Sequence, residues 1–167
     1  MSFREIDAKS VKENFIKLIA DDWALVTAGD EAAHNTMTVS WGGVGELWRK
    51  DVTFIFIRPQ RHTLQFVENN EYYSVCFFDD EYKDALRFCG TKSGRDYDKD
   101  KETGLTAVFD EKAPYYQQAK LVLICRKMAA QDIDPKGFID ETIDDNYAQK
   151  DYHKMFVGAI EKVLVKD

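Results

Sequence analysis

Several stretches of this chain carry the short apolar runs of β-strands, and a few carry helical spacing. Val52, Thr53, Phe54, Ile55, Phe56 and Ile57 form a β-branched and aromatic run that predicts a buried strand over 52–57. The same composition predicts strands over 23–28, 72–78 and 119–128, the last apolar enough to be central. In the first of these the alternation is weak, so both faces are expected to be covered, and Gly29-Asp30 turns it. A short strand over 105–109 and a last one through Val163, Leu164 and Val165 complete the set, apart from 35–41. Helical spacing places Val11, Phe15, Leu18 and Ile19 on one face behind Ser10-Val11-Lys12-Glu13, a capping-box pattern, and predicts a helix ending near Asp21. Thr63 stands as N-cap to a short helix over 64–67, and Cys89-Gly90 as the stop of another over 82–88. Roughly six or seven strands with few helices between them predict a small antiparallel barrel with helical decoration.

Composition narrows this picture. With 167 residues, 44% apolar and 13% aromatic, the chain is expected to form one domain, 1–167, with a sizeable core. The net charge of −7 argues against general affinity for nucleic acid or an anionic membrane, so any bound anion must be held by local geometry. No run approaches the ~18 apolar residues of a membrane span, and residues 1–7 lack the apolar core of a signal peptide. The cysteines Cys76, Cys89 and Cys125 are odd in number and far apart, which points to a reducing cytoplasm.

The candidate chemistry gathers where the strand over 52–57 ends. Arg58-Pro59 stops it, because proline has no N–H to give to a ladder. Arg61, His62 and Thr63 then lead into the short helix, so two fixed positive charges and a hydroxyl meet unpaired N–H groups. This is the physics of an anion site, with a phosphate ester as its natural guest. The same residues also fit a surface turn whose arginines pair with local acids. Residues 35–41 have strand propensity but small polar side chains, and so offer donors and acceptors; Gly42, Gly43 and Gly45 let the backbone bend sharply after them. Loop 91–99 is dense in hydroxyls, glycine and charge.

Other motifs fail. Gly43-Val44-Gly45 is followed by Trp48 where a dinucleotide fingerprint needs its third glycine. Asp96, Asp98 and Asp100 begin like a calcium loop, but Lys101 and Ala107 occupy its glycine and glutamate positions. His34, His62 and His153 have no zinc spacing. No acid/base pair or nucleophile stands out, so an enzymatic reaction would need a cofactor.

Residues 35–41, 58–63 and 89–96, with the tail over 152–158, occur in an order and spacing that resembles the flavin reductase-like family of FMN-binding split-barrel proteins, which includes flavoredoxin. The resemblance covers nearly the whole chain. It implies a mainly β fold, a six-stranded antiparallel split β-barrel of Greek-key type with flanking short helices. It also implies a homodimer with FMN near the interface. Arg58, Arg61 and Thr63 would hold the phosphate. Asn35, Thr36, Met37, Thr38, Ser40 and Trp41 would line the isoalloxazine ring, with Trp41 packing beside it for roughly 0.5–1.5 kcal/mol beyond area burial. Ser93, Arg95 and Lys99 would complete the phosphate or ribityl side, Phe156 would cover the ring, and Cys89 is read as a packing residue. The implied activity passes electrons from NAD(P)H or a protein donor through FMN to free flavin or another acceptor. A non-enzymatic FMN carrier of flavoredoxin type is the alternative. A heme-binding barrel, with His62 or His153 as axial ligand, is a third reading that the arginines oppose.

Overall fold

The computed structural model describes residues 2–167. In chain order its strands are β1 (Phe3–Ile6), β2 (Ala24–Gly29), β3 (His34–Val39), β4 (Gly42–Leu47), β5 (Lys50–Ile57), β6 (Tyr72–Phe77), β7 (Ala107–Val108), β8 (Tyr115–Tyr116), β9 (Leu121–Asp132) and β10 (Lys154–Lys166). Short helices α1 (Phe15–Lys17), α2 (Thr63–Asn69), α3 (Lys83–Thr91) and α4 (Lys99–Thr103) lie between them. The main sheet runs β3-β2-β6-β9-β10-β5-β4, with β1 on β10, and β7 and β8 pair separately. Every pairing is antiparallel. The fold is the mainly β split barrel that the sequence predicts, with eight strands in the main sheet among the described residues in place of six.

β10 is the spine. It pairs with β9 along nearly its whole length, with β5 through residues 154–159 and with β1 through 163–166. Register shifts at Val157/Gly158 and Ile160/Lys162 bend it, the usual way a sheet curls toward closure. Side chains of β2 separate onto two faces. Ala24, Val26 and Ala28 enter the barrel core with Ile55, Ile57 and Phe156. Leu25 faces a second cluster with Cys76, Leu86, Cys89 and Val122. Both faces of this strand are therefore covered, which is why its alternation is weak. The ends of the main path are β3 and β4, consecutive in the chain and joined through Ser40 and Trp41. The seam between them positions the site.

Four local expectations change, one of them at Thr63, which is the first residue of α2 while His62 holds the cap position without a side-chain bond. Ser10 closes a 3-10 turn capped by Asp7, and α1 begins later, with Asn14 Oδ1 accepting from the N–H groups of Ile16 and Lys17. A π-type turn, Leu18–Asp22, continues α1. An amide one turn further along therefore caps the helix better than the Ser10 box. Residues 42–47, expected as a glycine-rich bend, form β4 because β5 pairs with them through all six positions. α3 runs past Cys89-Gly90 to Thr91, whose hydroxyl bonds back to the Arg87 carbonyl.

Candidate functional site

Two hollows open beside the seam, each of about 200 Å³. The first is lined by Met37, Thr38, Val39, Ser40, Trp41, Phe56, Arg58, Arg61 and His153. The second is lined by Gln60, Arg61, His62, Thr63, Thr91, Lys92, Ser93, Gly94, Arg95 and Lys99. Arg61 belongs to both. Together they fall within the ~300–1,000 Å³ of pockets that hold ligands of cofactor size.

The second hollow is built from cations without acids: among the described residues, no Asp or Glu lines it. Its two inner cations are held by the C-terminal carbonyls of α3, where a helix leaves oxygens unpaired and its dipole is negative. Arg61 Nη1 donates to the Gly90 carbonyl at 2.8 Å and Nη2 to that of Cys89 at 3.3 Å. Lys99 Nζ donates to the Cys89 carbonyl at 2.9 Å and to that of Thr36 at 2.7 Å. Carbonyls fix these groups without cancelling their charge. Lys99 is 6% exposed, and burial, joined by the charge of Arg61, pushes its ammonium down to about 8 against the opposing effect of Cys89. Burial also lowers Arg61, and burial with the charges of Arg95 and Lys99 lowers His62. A hollow that disfavours its own positive charges favours an anion.

Hydroxyls and backbone complete it. Asn35 Nδ2 donates to Thr63 Oγ1 at 2.8 Å, leaving the Thr63 proton free to donate elsewhere. Ser93 Oγ accepts from the Arg95 N–H at 3.2 Å, and Arg95 Nη1 donates to the Gln60 carbonyl at 3.3 Å. Gly94 is required for space: a Cβ there would stand 2.0 Å from Asn35 Oδ1.

Among the residues expected at the site, Arg61, Thr63, Ser93, Arg95 and Lys99 share the second hollow, and Asn35 braces it from below. Thr38, Ser40, Trp41 and Arg58 line the first. Arg58 is not among the residues of the cationic hollow. Its Nη1 donates to Asp151 Oδ2 at 2.9 Å, its Nη2 to the Asn146 carbonyl at 3.0 Å, and its guanidinium lies 5.0 Å from the Tyr147 ring. Of the two arginines, one pairs with a local acid and one does not.

Other expected roles do not fit the geometry. The Thr36 hydroxyl is committed to Thr27 at 2.8 Å and the Val26 carbonyl at 3.2 Å. The Thr38 hydroxyl donates to the Leu86 carbonyl. Met37 is a wall residue whose side chain packs in the barrel core. Phe156 is 1% exposed and packs in the same core, so it does not cover the first hollow. Strand β10 turns that side chain inward, and Phe56 and His153 stand at the hollow in its place. Cys89 is fully buried, and burial pushes its thiol up to about 11, which suits packing and not redox chemistry.

Residues that sequence reasoning missed include Phe56, Gln60, Lys92 and the roles of Tyr147 and Asp151. His153, considered in the sequence only as a metal or heme ligand, sits 5.2 Å from the Trp41 ring and shares a 2.8 Å hydrogen bond between Nδ1 and the Tyr147 hydroxyl. Burial first, then the Arg58 charge, pushes it down to about 4, so it is neutral at physiological pH. The resemblance of the tail over 152–158 to the family is its only local signal.

Comparison with known proteins agrees with the fold. Flavoredoxin from Methanosarcina acetivorans superposes with a TM-score of 0.67 at 19% identity, over 87% of this chain and 69% of that one. An FMN-binding domain of a flavin reductases-like enzyme from Shewanella baltica gives 0.70 at 14% identity, over 98% and 77%. An NADH:FAD oxidoreductase from Streptomyces globisporus, solved with NAD and FAD fragments, gives 0.65 at 16%, over 87% and 74%. No curated protein matches the sequence. The profile of the flavin reductase like domain matches residues 17–167, and the chain belongs to that family.

Proposed function

We propose that residues 1–167 form one FMN-binding domain that works as a flavin reductase-like oxidoreductase. It takes electrons from NAD(P)H or a protein donor and passes them to free flavin or another acceptor. The observation that carries this reading is the hollow lined by Arg61, Lys92, Arg95 and Lys99 with no carboxylate, on a chain of net charge −7. Local positive charge held by helix carbonyls against the overall field suits a phosphate ester. The adjoining hollow, with Trp41, Phe56 and the neutral His153, suits a flat ring with a polar edge.

In this arrangement Arg61, Lys99, Arg95 and the Thr63 and Ser93 hydroxyls hold the phosphate. Trp41 and His153 flank the ring, and Ser40 with the backbone of 37–41 meets its polar edge. FMN held there would supply the redox chemistry. The protein orients the ring, and the buried neutral imidazole keeps a titrating charge away from it. Trp41 is 47% exposed at the seam, and a second copy of the chain in a homodimer would cover it together with the ring.

A non-enzymatic FMN carrier fits the same hollows, and the likeness to flavoredoxin supports it. The deciding experiment begins with FMN titration followed by fluorescence quenching, with riboflavin as the phosphate-free control. Saturation at one FMN per chain is expected; no binding of FMN or FAD would refute the reading. Bleaching of the bound flavin by NAD(P)H then separates the reductase from the carrier.

A further inference from the structure

Lys99 is carried into the cationic hollow by α4, which spans only Lys99–Thr103. A helix this short has no stability of its own, and the Thr36 and Cys89 carbonyls hold only the tip of the Lys99 side chain, so other contacts must fix its backbone. Asp98 caps it by accepting from the Lys101 N–H at 3.2 Å. Asp100, beside Lys99, has both carboxylate oxygens occupied. Its Oδ2 is 2.7 Å from His34 Nε2, at the start of β3, and its Oδ1 accepts from the Tyr116 hydroxyl of β8 at 2.7 Å. Tyr116 is fully buried, and His34 stands edge-on to Phe109 at 5.1 Å. The hydrogen bond to Asp100 raises the His34 pKa against the opposing effect of burial.

We propose that His34, Asp100 and Tyr116 are positioning residues that pin α4 to two strands and so hold the Lys99 ammonium beside the phosphate. The same contacts turn the Asp100 carboxylate, next to Lys99 in the chain, away from that ammonium, so the charge of Lys99 stays uncancelled. This inference rests on the reading of the cationic hollow as the FMN phosphate site.

The test compares FMN and riboflavin affinities in His34→Ala, Tyr116→Phe, His34→Gln and Lys99→Met. His34→Ala and Tyr116→Phe should each weaken FMN by roughly tenfold and leave riboflavin unchanged. His34→Gln, whose amide still donates to Asp100, should recover most of the loss. His34→Ala should add nothing in the Lys99→Met background, because both act through one ammonium. Equal losses for both flavins, or additivity with Lys99→Met, would overturn the proposal. A flavin-free readout keeps it separable from the function: acetylation of Lys99, followed by mass spectrometry, should accelerate in His34→Ala. An unchanged rate would refute the positioning role even in a protein that binds no flavin.

Discussion

Arg58, which lines the ring-side hollow, and Asp151, 93 positions apart in the chain, meet at 2.9 Å. Gln60 Nε2 reaches the same Asp151 oxygen at 2.7 Å. The turn after β5 is thereby tied to the segment joining β9 and β10, which brings His153 to the hollow with the Tyr147 hydroxyl bonded to its Nδ1. Arg61, three residues later, takes only carbonyls and keeps its charge for a ligand.

Arg58→Ala removes that tie and should weaken FMN and riboflavin alike. It also removes one of the two causes that hold His153 down at about 4, so the imidazole should titrate closer to its ordinary value. Histidine NMR titration checks this; an unmoved His153 would mean that Arg58 does not shape the hollow.

Arg61→Ala should act on the phosphate alone. Loss of one charged hydrogen bond predicts FMN binding weaker by ~1.5–3 kcal/mol with riboflavin nearly indifferent. Parallel losses for the two flavins in fluorescence titrations would contradict the phosphate assignment.

Lys99 predicts the pH dependence. With its ammonium lowered to about 8, the unliganded site is charged below that pH and loses its proton as pH rises through it. The phosphate, with its second pKa near ~6, stays a dianion as pH rises through that of Lys99. FMN affinity should therefore fall above about pH 8 while riboflavin affinity stays flat. Lys99→Arg, charged at every such pH, should flatten the FMN profile.

Gly158→Ala tests the barrel. Its Cβ would stand 2.2 Å from the hydroxyl of Tyr73, which is fully buried and bonded to Thr53 Oγ1 at 2.6 Å. Overpacking of this kind costs about 1–3 kcal/mol or more, read as a lower midpoint in thermal or urea denaturation. Tyr73→Phe should not restore it, because the ring carbons Cζ and Cε1 would lie only 2.7 and 2.9 Å away.

Much of the barrel was legible in the chain. Runs such as 52–57 and 121–126 announce strands because burial against neighbours selects apolar, β-branched residues locally. The strand β4 was not legible, since Gly42, Gly43 and Gly45 carry no strand propensity and are held by pairing with β5 alone. β1 was missed for the same reason: its four residues are fixed by β10, at the other end of the sequence.

The sequence by itself determined that cations and a hydroxyl cluster after the strand over 52–57, because their spacing along the backbone is local. Only the tertiary structure decided which of them are free. Asp151 neutralises Arg58, the end of α3 holds Arg61 and Lys99 without neutralising them, and the Thr36 and Thr38 hydroxyls are taken by partners within the protein. The side-chain partners lie 9 to 93 residues away, and no periodicity records such distances. Phe156 makes the same point: side-chain direction in a strand reverses at every residue, and pairing against β5 and β9 sent this ring into the core.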